Sequence, residues 1–340
     1  MPTNLPRSTT SAAAMVGLAS EYGVGAELVL RGTGISCADL ADPAAEIAAA
    51  SELALVRNVV GLLGNVPGLG LIAGARYHVG LHGIWGFALL ASATTRAALE
   101  LALRYFDLTF SFSRVRVVER DAELHIEIDD SHVPQQLRRF LLERDAAAAM
   151  RVQYDLVQTR IPPLRVELAV PEPAWADLYE EAIGVRPVFD APRSLIVGSL
   201  SSLDLSLPQA NPLIASTAQQ QCSDLLRARR ERLGTAARVR EVLIAGPMRL
   251  ESVAAELGLS ERTLHRRLAS EETSFREIVT ETTVLLAQEM LAAGLTVEDV
   301  ASRVGYGGAP AFVVAFKKWT GVTPGAWARA ACQDLVRPPT

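Results

Sequence analysis

Arg262, His265 and Arg266 are interleaved with Leu264 and Leu268, which stand four residues apart. On a helix the two leucines face inward, and the basic residues, with Arg267 beside them, lie on the outer face. Ser260 is placed to cap that helix, its hydroxyl accepting from an otherwise unpaired backbone N–H. Arginine on an outer face of this kind can donate two hydrogen bonds to guanine O6 and N7 in a major groove. A second helix of related pattern follows further on. Phe312 and Phe316 take its inward places, Lys317 and Lys318 come next, and Trp319, Gly321 and Pro324 close it; a proline there prevents the helix from running on.

Each of these helices is preceded by the same short unit. The first reads Glu251-Ser-Val-Ala-Ala-Glu-Leu-Gly-Leu-Ser260, the second Glu298-Asp-Val-Ala-Ser-Arg-Val-Gly-Tyr-Gly307. Val253, Ala254 and Gly258 recur as Val300, Ala301 and Gly305. A short helix, a glycine that lets the chain turn sharply and a second helix make the sequence form of a helix-turn-helix.

The stretches Leu259-Ser-Glu-Arg-Thr-Leu-His-Arg-Arg-Leu268, Val304-Gly-Tyr306 and Ala315-Phe-Lys-Lys-Trp-Thr-Gly-Val-Thr-Pro324 resemble the DNA-binding domain of AraC-family transcription regulators. The resemblance implies two helix-turn-helix units joined by a long helix, here Phe275–Ala293, entering successive segments of the major groove on one face of double-stranded DNA. This copy departs from the family pattern. Pro310 stands where a polar residue is usual, Val314 where an arginine is usual, and Thr283 where an arginine is common in the linking helix. Ala309, Pro310, Val313 and Val314 offer no donor to a base edge; at best Val313 or Val314 touches a thymine methyl. The expected DNA-binding residues are Ser260, as cap, with Arg262, His265, Arg266 and Arg267 in the first unit, which reads sequence, and Val313, Lys317 and Lys318 in the second, which mainly anchors on phosphate.

Bulk composition permits this reading without supporting it. From Thr235 to Thr340 there are 12 Lys plus Arg and 12 Asp plus Glu, and the whole chain stands at −5. A basic face must come from distribution. The basic residues are almost all arginine, as a G+C-rich coding sequence would give. At 340 residues, 49% hydrophobic and 21% charged, the chain suits two globular domains. Cys37, Cys222 and Cys332 are too sparse for a disulfide framework or a metal site, which fits a reducing cytoplasm. Gly61–Leu90 is apolar, but Asn65, Pro67, Arg76, His78 and His82 interrupt it short of the ~18–20 residues a membrane span needs.

The first ~200 residues read as an α+β domain: helices first, then β-β-α-β-α-β. Met1–Ser11, polar and rich in Pro, Ser and Thr, reads as a disordered tail. Helices are expected over Ala12–Leu30, over Pro43–Gly61 with Asp42 as cap, over Thr94–Phe106 and over Pro134–Tyr154. Val115 and Val117, then Leu124, Ile126 and Ile128, alternate with charged residues about an Asp121-Ala122 turn, the pattern of a hairpin. Strands over Leu164–Val170 and Ser194–Val197 flank a helix over Trp175–Ile183. Residues 12–203 form this domain, 204–234 a linker and connecting helix, 235–331 the all-α DNA-binding domain with its two helix-turn-helix units, and 332–340 a tail.

No Ser-His-acid arrangement or other catalytic constellation falls in this first domain, and no cofactor motif is present. His78 and His82 would share a face if they lay on one helix, the spacing of a zinc helix, but no third ligand accompanies them. Gly70-Leu-Ile-Ala-Gly74, Gly83-Ile-Trp-Gly-Phe-Ala88, Ala97-Ala-Leu99 and Arg104-Tyr105 resemble the sensor and dimerisation module that precedes the DNA-binding domain in one AraC-type subgroup. That resemblance implies a small organic effector, which in some relatives is a fatty acid or carboxylated metabolite, together with self-association and, for an activator, contact with RNA polymerase. Arg57, His78, His82 and Trp85 are the candidates for lining an effector pocket. The competing reading is an enzyme or ligand-binding module that uses a helix-turn-helix tail for protein contacts.

Overall fold

The computed structural model describes residues 5–245, 249–271, 273–292 and 295–328. The expected tail over 332–340 with Cys332, the first four residues of the expected disordered segment, and Ala293 lie outside the described residues. The chain divides between Arg229 and Arg230 into two compact units.

The amino-terminal unit is α+β, as expected. It opens with β1 (Arg7–Ser8), α1 (Thr10–Glu21), α2 (Ala26–Val29) and α3 (Cys37–Ala41). The single helix expected over Ala12–Leu30 is split because Gly23, at φ +77°, ends α1. Then β2 (Glu46–Ile47) pairs antiparallel with β1, setting Arg7 opposite Ile47. Two expectations fall here. From Leu5 on, the segment read as a disordered tail is ordered: Leu5 is fully buried and Arg7 is 3% exposed. The helix expected from Pro43 starts only at α4 (Ala49–Leu63). Asp42 makes a turn instead, its side chain accepting from the Ala44 N–H at 2.8 Å and its carbonyl from Ala45 at 3.1 Å. The strand pairing with residues 7–8 then claims Glu46 and Ile47.

Two short helices, α5 (Leu69–Gly74) and α6 (Gly83–Leu90), and then α7 (Thr95–Arg104) precede the main sheet. Its strands are β3 (Arg114–Arg120), β4 (Glu123–Asp129), β5 (Arg165–Glu167) and β6 (Ser194–Ser199), all antiparallel in the order β3-β4-β6-β5. The hairpin register places Val117 opposite Ile126. Ile126 in turn faces Ile196. α8 (Gln135–Val157) and α9 (Leu178–Ile183) complete the layer, and α10 (Pro212–Arg232) follows. α5 lies backbone to backbone on α8: a Cβ at Gly70 would stand 2.5 Å from the Phe140 carbonyl oxygen, and one at Gly74 2.3 Å from that of Arg144.

A buried polar network ties these parts together. Arg7 Nη1 donates to Glu52 at 3.1 Å and to the Phe110 carbonyl at 3.1 Å, while Nη2 donates to the Ser111 carbonyl at 3.0 Å. Arg144, 1% exposed, donates to the same Phe110 carbonyl at 2.8 Å. The Ser11 hydroxyl donates to Glu52 and lies 2.7 Å from the Tyr77 hydroxyl. The Arg7 guanidinium is stacked over the Phe112 ring, 4.1 Å from its centre.

The carboxy-terminal unit is all-α among its described residues. After α11 (Gly234–Ala245) come α12 (Leu250–Glu256), α13 (Glu261–Ser270), α14 (Phe275–Ala292), α15 (Val297–Arg303) and α16 (Ala309–Thr320). Residues 324–328 are helical again. Val253, Ala254, Leu264 and Leu268 form one core with Ile278 of α14; Val300, Ala301, Phe312 and Phe316 form another with Ala287 and Leu291 of the same helix.

Replacing Arg7 by Met should leave Glu52 buried without its counter-charge, at a cost of about 3–5 kcal/mol in denaturant unfolding. The double variant Arg7→Met/Glu52→Leu should recover much of that loss. An unshifted midpoint for Arg7→Met would show that the pair does not hold the amino terminus.

Candidate functional site

α12 and α13 are joined at Gly258, whose φ of +66° allows the turn; α15 and α16 are joined through Gly305 at +84°. Ser260 caps α13 by accepting from the Thr263 N–H at 3.2 Å. At the other end Glu271 accepts from the backbone N–H groups of Thr235 and Ala236 at 2.6 and 2.8 Å, which fixes α13 against α11. Leu264 and Leu268 are fully buried. Arg262, His265, Arg266 and Arg267 are all exposed, and none of these side chains takes part in a hydrogen bond or ion pair among the described residues. In the other unit the exposed Arg186 and Arg193 pair with carboxylates of their own surface, whereas the exposed Arg57, Arg104 and Arg120 make no hydrogen bond or ion pair among the described residues.

The second unit carries a different face. By the offset that matches Leu264 to Phe312, Arg262 falls on Pro310 and Arg266 on Val314. Pro310 sits in the first turn, where its missing N–H costs no helical bond. Val314 is 71% exposed, and Val313 is half-buried. Lys317 and Lys318 stand exposed in the last turn. Tyr306 packs edge-on against Phe312 and Trp319, at ring-centre distances of 5.7 and 6.1 Å, and holds α16 to α15.

In the amino-terminal unit a cavity of about 310 Å³ lies between the inner face of the four-stranded sheet and α6, α7 and α8. Val117, Ile126 and Ile196 line it from the strands, Trp85, Ala98 and Ala149 from the helices. Of the four expected lining residues, His82 and Trp85 are there, their ring centres 4.9 Å apart. Arg57 and His78 are not. Arg57 is exposed because its place on α4 lies off the buried stripe of Val56, Val59 and Leu63. His78 is exposed and extended, just before a short 3-10 turn over Val79–His82, so the two histidines do not share a helix face. The same turn explains the glycine in the Trp-Gly-Phe motif: a Cβ at Gly86 would stand 1.9 Å from the Val79 carbonyl oxygen.

Sequence reading missed the polar residues of the cavity wall, Ser111, Ser113 and Asp145. The available sign was a charge on an inward stripe. Arg144 falls on the buried face of α8 with Leu137 and Leu141, and Glu52 on that of α4 with Val56 and Val59.

Burial, and then the positive charge of Arg144 nearby, bring the His82 pKa down to about 4 from an ordinary 6.5. Both its ring nitrogens are closed off and lack a partner, as do Trp85 Nε1 and Ser113 Oγ.

Residues 23–207 match the arabinose-binding domain of AraC transcription regulators, N-terminal, and residues 253–330 match a helix-turn-helix domain. An uncharacterized HTH-type transcriptional regulator of Mycobacterium tuberculosis is 34% identical over 324 residues, 92% of this chain and 93% of that protein. The ornithine utilization regulator of Pseudomonas aeruginosa is 30% identical over 317 residues, again 92% and 93% of the two chains. The crystal structure of the regulator CdpR from Pseudomonas aeruginosa aligns over 94% of this chain and 98% of that one, with a TM-score of 0.46 and 24% identity. The chain belongs to the AraC family. It is a DNA-binding transcriptional regulator with an arabinose-binding-type amino-terminal domain.

The His82 shift gives a pH dependence. The unfolded chain takes up the proton below about pH 6.5 and the folded one only near 4, so the stability due to neutral His82 is complete above 6.5 and is lost as pH falls towards 4. The shift corresponds to roughly 3 kcal/mol. His82→Gln should flatten the stability–pH curve across that interval, leaving the smaller share of His132, whose pKa burial also lowers. A curve identical to the parent's would show that the imidazole protonates freely in the folded chain.

Proposed function

We propose that this regulator reads base sequence with α13 and anchors on phosphate with α16, and that a small organic effector held in the sheet cavity sets its activity. One observation carries the DNA assignment: four basic side chains on α13 are exposed and uncommitted, whereas the matching face of α16 offers proline and valine. Arg262 and Arg266 then donate to base edges, with His265 and Arg267 flanking them and Ser260 holding the helix start. Lys317, Lys318 and backbone N–H groups meet phosphate oxygens, contacts that position without specifying; Val313 is left to touch a thymine methyl. Effector binding acts by favouring one of two arrangements of the chain through unequal affinity for them. The cavity supports this, being mostly apolar with a few buried polar groups, the usual make-up of a small-molecule site. Self-association, contact with RNA polymerase by an activator, and a cytoplasmic location belong to the same reading through family likeness. No helix of the described residues is long and apolar enough to cross a membrane.

Binding to DNA upstream of the chain's own gene, measured at two salt concentrations, tests the division of labour. Arg266→Ala should relax preference at one base pair, by about 1–3 kcal/mol, while sparing non-site DNA. Lys317→Ala should weaken all sequences alike and reduce the salt slope by about one. If Arg266→Ala loses site and non-site affinity equally, α13 is not the reader.

A further inference from the structure

Resting on the reading of the cavity as the effector site, we infer that the effector is an uncharged, mainly apolar molecule bearing a hydrogen-bonding oxygen, such as an alcohol, ketone or ester, whose polar end meets His82, Trp85 and Ser113. Most polar side chains on the wall have partners within the protein, Tyr77 among them, its hydroxyl 2.7 Å from that of Ser11. Thr95 donates to the Ser202 carbonyl at 2.5 Å, and the Ser202 hydroxyl donates to the Ser199 carbonyl at 2.6 Å. Gln153 donates to the Ile161 carbonyl at 3.1 Å. The Thr109 hydroxyl accepts from the Ser111 N–H at 3.4 Å. Ser111 donates to Asp145 Oδ2 at 2.7 Å, and Arg144 donates to Asp145 Oδ1 through Nε and Nη2 at 2.9 and 2.8 Å. Each of these groups has at least one partner in the protein, although Thr109 only accepts and Gln153 is engaged through its Nε2 alone.

Three others differ. Among the described residues Trp85, 6% exposed, has no acceptor for its indole N–H; Ser113, 4% exposed, has no partner for its hydroxyl oxygen; His82 has none for either ring nitrogen. Buried polar groups are normally paired; these three orphans belong to residues of one cavity wall, His82 and Trp85 side by side, and a ligand's polar group reaches them by a shift of those side chains. Trp85 is a donor only, while Ser113 and neutral His82 each offer one donor as well as an acceptor, a set that suits a carbonyl or hydroxyl oxygen.

The same wall argues against an ionised head. Among the described residues no lysine or arginine lines the cavity. His82 is neutral at physiological pH. Among the described residues the one charged group on the wall is Asp145, whose charge Arg144 already meets. Arg144 itself is off the wall, stacked by the rings of Tyr77 and Phe112 at 5.3 and 5.8 Å. A carboxylate entering here would shed its water with no cation to replace it and with Asp145 close by, and a buried unpaired charge is strongly disfavoured. An ammonium would find Asp145 already taken.

The test is thermal unfolding of the full chain at pH 7.5 with a series of one chain length: 1-decanol, 2-decanone, methyl decanoate and decanoate. The neutral members should raise the midpoint and decanoate should not. Ser113→Ala, which keeps the packing, and Trp85→Phe, which keeps an aromatic ring but loses the N–H, should each weaken the neutral ligands about threefold to tenfold, the worth of one hydrogen bond. Stabilisation by decanoate equal to or stronger than that by the alcohol would overturn the neutral-effector inference and leave the effector site standing. So would neutral ligands that bind Trp85→Phe and Ser113→Ala as tightly as the parent. If neither neutral nor anionic members stabilise the chain, the cavity is not an effector site and both readings fall.

Discussion

One carbonyl oxygen does much to hold the amino-terminal unit together. Phe110 sits between α7 and the sheet, and its carbonyl accepts from two guanidinium groups, Arg7 from the first strand and Arg144 from the middle of α8. Each guanidinium has its own carboxylate, Glu52 and Asp145. Charges this deep persist only when paired and hydrogen-bonded. The pairing therefore fixes four separate stretches of chain at one point. Phe110 and Ser111 also form part of the cavity wall. The shape of the cavity and the order of the amino terminus are thus set by the same interactions.

The carboxy-terminal unit solves a different problem with one helix. Two small cores share α14, whose Ile278 belongs to the first and whose Ala287 and Leu291 belong to the second. A rigid rod between two helix-turn-helix motifs fixes their spacing through covalent geometry, about 1.5 Å per residue along the helix.

The helix-turn-helix pairs were legible because their signals are local: an apolar stripe, a capping Ser260, turn glycines at Gly258 and Gly305. The hairpin about Asp121 was legible for the same reason, and its outward Arg116 does meet Glu127 across the strands, at 3.7 Å. What the sequence hid was long-range. Nothing near Arg7 announces that it will pair with Glu52, 45 positions on, or that Arg7–Ser8 will draw Glu46–Ile47 into a strand in place of the helix that Asp42-Pro43 suggests. Polar composition made the first residues look unstructured, since composition cannot show that a buried counter-charge is waiting. The cavity was half legible. Trp85 and His82 stood out as aromatic and polar residues in an apolar run, whereas Arg57 and His78 stood out equally and point to solvent.

The part of the α16 face formed by Ala309, Pro310, Val313 and Val314 bears on what a target site looks like under the proposed division of labour. Valine and proline sort base pairs only by whether a thymine methyl is present, and G·C and C·G are alike to them. On the proposed reading, a base pair under those residues can change between those two with no loss of direct contacts. Aligned targets would then be sharply defined at one end and blurred at the other, so a search by symmetry or by repeated half-sites would overlook them.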